Sequence, residues 1–381
     1  MSDGEPWDGD VLVVGAGPAG ATAARVAAAG GARVLLVDAA RFPRYKTCGG
    51  GLVGVSLRAL PPEALAVVER RVDRVTFGFR GGPARAVRSS RPFLAMVDRE
   101  RFDQALVDAA VAAGAEFRDH VRVRALEQQA DAVMVRTDAG ELRASVVVGA
   151  DGASGVTGRH VGVRIARADL GLEVELEDDG DEWRRRIHLD WGRDAGTYGW
   201  VFPKDGHLTV GVIERKGRGE QTRAYLDRFI SGLGMQDRRV LRSSGHLTRW
   251  REPGSPVRRD RVLVVGDAAG LLEPWSREGI SYALRSGALA GEAAVRGLAR
   301  GMSTLSSYEY AIARELEPEQ RAGATMLRVF ERWPLLIHLA LSRAGLGATA
   351  FVRICRGSLD LPRLLSHRSV AVAARVLGGR G

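Results

Sequence analysis

Gly15, Gly17 and Gly20 follow four apolar residues, Val11-Leu-Val-Val14, and open a helical pattern; a second apolar run then closes on Asp38. Each residue type at that spacing has a chemical use. Gly15 permits a tight turn out of a strand, Gly17 lets backbone approach a pyrophosphate, and Gly20 lets the helix pack close to the sheet. The helix N-terminus presents free N–H groups and a positive dipole end to phosphates. Asp38, ending the second strand, is suited to accept hydrogen bonds from a ribose diol. The stretch reads as a dinucleotide site. Just downstream, Cys48 sits in Lys46-Thr-Cys-Gly-Gly-Gly51, a loop able to pass close to a ligand. Its thiol is placed to donate a proton or to gate access, with the charge of Lys46 weighing against a simple acid. Tyr198, Trp200 and Phe202 alternate along a strand-like run, which points them to one face.

The chain that must hold these groups has 381 residues, 45% of them hydrophobic and 27% charged, with a net charge of +10. Those values suit a globular protein with a sizeable core. Its two cysteines, Cys48 and Cys355, exclude a disulfide framework, a four-cysteine zinc site and a cysteine-ligated iron–sulfur cluster. Cys355 lacks a glycine loop and reads as a small buried hydrophobe. The histidines form no ligand-like or triad-like pattern, so neither a metal nor hydrolytic chemistry is assigned. The acidic start, MSDGEPWDGD, has no apolar stretch of a secretory signal, and the expected location is the reducing cytoplasm.

From Arg321 onward the charged residues are arginines opposed only by Glu331 and Asp360, and apolar runs such as PLLIHLALS lie between them. His338 and Arg343 interrupt the longest apolar run, making it a poor spanning helix. Basic and apolar residues together suit either a surface on an anionic membrane, at its inner face, or a helical lid with solvated arginines. No nucleic-acid module or stacking aromatic set accompanies the charge.

The order of elements is discontinuous. After the nucleotide start come a glycine loop, a helix and short alternating runs such as Val72-DRVTFGF. An amphipathic helix at 99–113 and strand-like runs at 121–126, 132–137 and 142–150 follow. Between about 164 and 248 apolar and polar residues alternate as in an antiparallel sheet. Arg261-VLVVGD returns as a buried strand, and helical patterns from Gly279 complete the chain.

Three motifs in this order, GAGPAG at Gly15–Gly20, GADG at Gly149–Gly152 and GDAAG at Gly266–Gly270, resemble the glutathione-reductase-type flavoproteins of the para-hydroxybenzoate-hydroxylase-like branch. The resemblance implies FAD as resident cofactor. It also implies an α/β fold with α+β lobes: a Rossmann-like FAD-binding lobe (1–60, 95–160 and 255–310) and an inserted antiparallel-sheet substrate lobe (61–94 and 161–254). A basic helical region, 311–381, follows. By the same resemblance Asp267 contacts the ribityl chain, while Gly279 and Ile280 offer backbone N–H groups to the flavin pyrimidine edge. Arg99 reaches the cofactor phosphates or adenosine, and backbone at Val123 meets adenine.

Tyr198-x-Trp200-x-Phe202-Pro203-Lys204, the loop Phe42-PRYKTCGGG and the run Gly266-DAAGLLEPWSREGISYALRSG are similar to the motifs of the geranylgeranyl reductase family. That family saturates carbon–carbon double bonds of prenyl chains on lipids, quinones or chlorophyll precursors. Gly49, Gly51 and Pro274 fall within these motifs and are expected beside the cofactor. The chemistry implied is hydride from reduced flavin and a proton from a neutral acid in a water-poor pocket. Cys48, Tyr198, Trp200 and Phe202 are the expected catalytic and chamber residues, with Trp275 and Tyr282 near the flavin. A single nucleotide fingerprint implies that NAD(P)H or a ferredoxin-like donor visits transiently. The alternatives on this fold are a monooxygenase acting on an apolar or aromatic natural product, and a flavoprotein that passes electrons to membrane quinone. Tyr198-GWVFP departs from the WxWxIP signature of flavin halogenases.

Overall fold

The computed structural model describes residues 7–191, 194–343 and 345–367. Arg368, Arg375 and Arg380 of the basic tail lie outside them. The strands Trp7–Val14, Val34–Val37, Gly140–Gly149 and Val262–Val264 end in fully buried Val/Leu runs, as expected for a parallel sheet covered on both faces. They sit side by side in an eight-stranded sheet whose main path is ordered Arg258–Arg259, Val262–Val264, Gly140–Gly149, Trp7–Val14, Val34–Val37, Glu116–Arg118, with Val133–Thr137 and then Val123–Gln128 branching antiparallel from Gly140–Gly149. In register, Val14 lies between Gly149 and Val37, so three strand ends meet at one edge.

Small residues bring two helices together there. Helix Pro18–Ala29 is rich in alanine, and helix Ile280–Arg300 packs on it through Gly287 and Gly291. A Cβ at Gly291 would meet the Ala23 carbonyl oxygen at 2.7 Å, so the contact requires glycine.

A seven-stranded sheet forms the second layer, ordered Val240–Arg251, Ile165–Glu177, His207–Arg215, Tyr198–Pro203, Arg186–Trp191, Arg74–Phe79, Arg85–Arg88. The alternation read between 164 and 248 corresponds to its antiparallel strands. Two features differ from that reading: Arg186–Trp191 pairs parallel with Arg74–Phe79, and helix Gly219–Gly232 interrupts the strands. The period of two divides the sheet's faces. Val174, Leu176, Val201, Leu208 and Val210 join a core with Leu226 and Phe229 of that helix. Gly171, Glu173, Ile187, Leu189, Tyr198, Trp200 and Phe202 face the opposite way, onto a cavity. Helices Glu317–Arg332, Pro334–Ser342 and Gly345–Cys355 contribute Phe330, Ile337, Phe351 and Cys355 to the cavity's other wall.

Candidate active site

One cavity of about 1440 Å³ runs from the glycine turn, past the Cys48 loop, to the apolar C-terminal helices. Its lining includes Gly15, Gly17, Asp38, Cys48, Gly49, Gly51, Arg99, Val123, Tyr198, Trp200, Phe202, Asp267, Gly279 and Ile280. Residues widely separated in sequence thus share one wall. Gly20 and Pro274 do not line it. Gly20 packs against the Gly15 carbonyl, the close helix–sheet contact its place in the motif requires. Pro274 turns instead toward Gly323 of helix Glu317–Arg332, because Glu273 and Pro274 wedge against that glycine.

At the nucleotide end Gly15 has φ +101°, and a Cβ there would run into the Ala150 carbonyl. Before Gly17 the nearest heavy atom to a hypothetical Cβ is Arg44 Nη2 at 3.5 Å, which leaves room for a ligand over the helix N-terminus. Asp38 already accepts the N–H groups of Ala16 at 2.7 Å and Ala40 at 2.8 Å, and these fix its carboxylate at the cavity edge. Arg99 grips Asp103 with Nε and Nη2, both at 2.8 Å, and shares the cavity wall with Cys48. Arg44, which the sequence reading did not single out, pairs with Asp103 at 3.1 Å and faces the glycine turn.

A second helix N-terminus, that of Ile280–Arg300, opens into the same cavity at Gly279, where Glu278 Oε1 accepts the Ser281 N–H at 2.8 Å and Gly279 itself provides no capping side chain. Beside it Asp267 receives His246 Nε2 at 3.4 Å. Burial tends to raise the Asp267 pKa, but the His246 bond and charge, with Lys46 and Arg99, hold it below the usual carboxylate value. Three buried polar atoms on the cavity wall, Trp200 Nε1, Thr248 Oγ1 and Tyr282 Oη, have no hydrogen-bond partner among the described residues. Two dipole ends, a bare glycine turn and unpaired polar atoms fit a long ligand with phosphates at one end and a polar ring at the other. FAD has that form.

The Cys48 loop is held from both sides. Lys204 Nζ donates to the carbonyl oxygens of Gly49 at 2.8 Å and Val97 at 2.5 Å. Glu173 Oε1 accepts the Cys48 N–H at 2.8 Å, and Cys48 Sγ accepts the Gly50 N–H at 3.4 Å. A Cβ on Gly49 would stand 2.7 Å from Phe202 Cδ2 and 3.4 Å from Trp200 Nε1, so loop backbone lies against the aromatic strand. Along that strand the rings of Tyr198, Trp200 and Phe202 follow one another with centroids 6.0 and 6.5 Å apart. Trp200 lies over Gly211, the glycine in Val210-Gly-Val-Ile213, where any Cβ would collide with its indole. Beyond the rings the cavity becomes apolar, lined by Trp191, Phe330, Phe351 and Ile354. Cys355 is buried on this wall, its pKa pushed up to about 12 by burial.

Glu173 and Lys204 were missed as site residues. Glu173 is 2% exposed, and burial raises its pKa to about 7. In Leu172-Glu-Val-Glu-Leu the only available signal was alternation, which is equally that of a solvated strand face.

The family described as an FAD binding domain matches residues 8–176. The digeranylgeranylglycerophospholipid reductase 1 of Methanopyrus kandleri is 32% identical over 76% of this chain and 81% of its own length. The geranylgeranyl diphosphate reductase of Rhodobacter capsulatus is 31% identical over 77% of this chain and 76% of its own. A geranylgeranyl bacteriochlorophyll reductase-like protein from Thermoplasma acidophilum superposes with a TM-score of 0.81 at 20% identity, covering 96% of this chain and 99% of that one.

Proposed function

The chain belongs to the geranylgeranyl reductase family of FAD-dependent oxidoreductases, and we propose that it saturates carbon–carbon double bonds of a prenyl chain carried on a lipid, quinone or related isoprenoid. The observation that carries this reading is the continuity of one cavity from a dinucleotide turn to an apolar chamber. When bound, reduced FAD supplies two electrons and one hydrogen, as hydride. The chain's residues supply the rest. Asp38, Arg99 and the turn at Gly15 and Gly17 hold the nucleotide half, while Asp267 and the N–H groups at Gly279 and Ile280 hold the ring half. Val123 backbone meets the adenine. Cys48 and the ladder of Tyr198, Trp200 and Phe202 line the reaction chamber and exclude water from it. An isolated alkene has no carbonyl to take up charge, and aromatic faces offset positive charge that develops on carbon.

NAD(P)H or a small redox protein serves as a transient electron donor in this reading. The substrate reaches the chamber from a membrane. Exposed Leu335, Leu336 and Leu346 adjoin exposed Arg332, Arg343 and Arg353 on helices that bend by 88°, a surface suited to the anionic inner leaflet. Among the described residues no single helix is long and apolar enough to cross a membrane.

The test of the chamber uses Cys48→Ala and Trp200→Ala. Both should lower alkene saturation at least tenfold while FAD stays bound; wild-type rates in both would remove these residues from the reaction.

A further inference from the structure

Saturating an alkene needs a proton as well as a hydride, and the chamber contains several titratable groups. Most are already committed. Tyr198 donates its hydroxyl proton to the Ser276 carbonyl. Both carboxylate oxygens of Glu278 accept bonds from Ser281 at the start of helix Ile280–Arg300. Asp267 is held as carboxylate by the charges around it. The Cys48 sulfur accepts the Gly50 N–H at 3.4 Å.

Glu173 differs from all of these. It lies on strand Ile165–Glu177 between Gly211 and Ser244 of the neighbouring strands. Trp200 covers Gly211, so the carboxyl group stands beside the indole and opens on the cavity. Among the described residues only Oε1 is engaged, by the Cys48 N–H at 2.8 Å and the Tyr45 hydroxyl at 3.4 Å. The Tyr45 hydroxyl in turn lies 2.8 Å from Ser244 Oγ. Both hydroxyl residues are half-buried, and the adjoining Arg242 and Ser243 are exposed. The pair therefore links the carboxyl group, at a point where Tyr45 lines the cavity, to exposed residues on the edge strand of the sheet.

We infer that Glu173 is the proton donor of the chamber, and that Tyr45 and Ser244 recharge it from solvent. The inference rests on the reductase reading. In each cycle the alkene π bond breaks and two C–H bonds form. One hydrogen comes with both electrons from a reduced flavin, and the other is the Glu173 carboxylic proton. The carboxylate left behind is reprotonated by a concerted shift in which Tyr45 gives its proton to Glu173 as it accepts one from Ser244, while Ser244 accepts one from a hydronium ion of bulk solvent. The charged groups facing Glu173 are Lys46 on the loop, Lys204 on the aromatic strand and Glu175 on its own strand. The lysines favour its anion and Glu175 its acid, but burial is the largest influence. It keeps a substantial protonated fraction near neutral pH.

Glu173→Gln retains an acceptor for Cys48 and Tyr45 but has no transferable proton. With a prenyl lipid and the chemically reduced holoenzyme, saturation should fall roughly 100-fold or more. The wild-type decline in rate as pH rises through about 7 should disappear. Formate should partly restore the rate of Glu173→Ala. Tyr45→Phe should spare the first turnover and slow later ones. Independently of turnover, difference infrared spectra of FAD-free protein should show one carboxylic acid at pH 6 that is absent from Glu173→Gln. A wild-type rate and pH profile in Glu173→Gln, or an unchanged infrared spectrum, would overturn the assignment alone. Failure of the wild-type protein to add hydrogen to any prenyl chain would overturn the reductase reading, and this inference with it.

Discussion

The ammonium group of Lys204 meets the carbonyl oxygen of Gly49 at 2.8 Å and so ties the end of the aromatic strand to the loop that carries Cys48. The lysine is 5% exposed, and burial lowers its pKa. A cation is tolerated there because two carbonyl oxygens receive it. The final lysine of Tyr198-x-Trp-x-Phe-Pro-Lys204 is thereby explained as the fastener of the thiol loop.

Lys204→Met should remove that fastener and leave the Gly49 and Val97 carbonyls unpaired. Orphaned buried acceptors cost about 1–3 kcal/mol each. A lower melting temperature, with faster proteolysis near residues 46–51, is expected. Unchanged melting and cleavage would show that the loop is held by other contacts.

Gly49→Ala tests the closeness of loop and ring. The new methyl group would press on Phe202 from 2.7 Å, so ring or loop must move, at a cost of about 1–3 kcal/mol. FAD should still bind through the turn at Gly15 and Gly17, while alkene saturation falls. Loss of FAD with retained fold would place Gly49 in cofactor binding instead.

His188 gives a pH test remote from the chamber. It is buried on the outer face of the large sheet, its Nδ1 2.9 Å from Thr76 Oγ1 and its ring stacked on Phe229. Burial, aided by the charge of Arg186, lowers its pKa from 6.5 to about 4. The unfolded chain therefore binds the proton more readily. Stability from this site is complete above pH 6.5 and is lost as pH falls toward 4, by up to roughly 3 kcal/mol. Neighbouring Asp190, raised by burial from 3.8 to about 6, has the opposite sign and loses stability as pH rises across that range. Denaturant titrations of wild type and His188→Gln isolate the histidine. The difference between them should shrink from pH 7 to pH 4, and a constant difference would refute the assignment.

Membrane docking is separable from chemistry. Leu335→Asp with Leu336→Asp should reduce sedimentation with phosphatidylglycerol vesicles and leave reduction of a detergent-dispersed substrate intact. Equal sedimentation would exclude this surface as the contact.

The nucleotide turn was legible because its reasons are local: a strand, a glycine that must take positive φ, and a helix that starts at once. The aromatic ladder was equally legible, since alternation alone sends Tyr198, Trp200 and Phe202 to one face. Glu173 was not. A carboxylate between leucine and valine looks the same whether its face meets water or a cavity, and only the loop folding over it settles which. Arg44 is brought to the glycine turn by Asp103, on a different helix. Pro274 shared a motif with cavity residues, yet the turn directs it at Gly323. Cys355 read as a buried hydrophobe, and so it is, but the C-terminal helices make that buried position part of the chamber wall.

The central claim is tested most directly by the mass of the prenyl product. The holoenzyme would be reduced chemically without oxygen, then mixed with geranylgeranyl lipids, geranylgeranyl diphosphate and menaquinone while flavin absorbance is followed. The account predicts reoxidation of the flavin together with gain of hydrogen pairs in a prenyl chain. Reoxidation by menaquinone with every double bond intact would contradict it, as would silence until oxygen is admitted and an oxygen atom appears in the product.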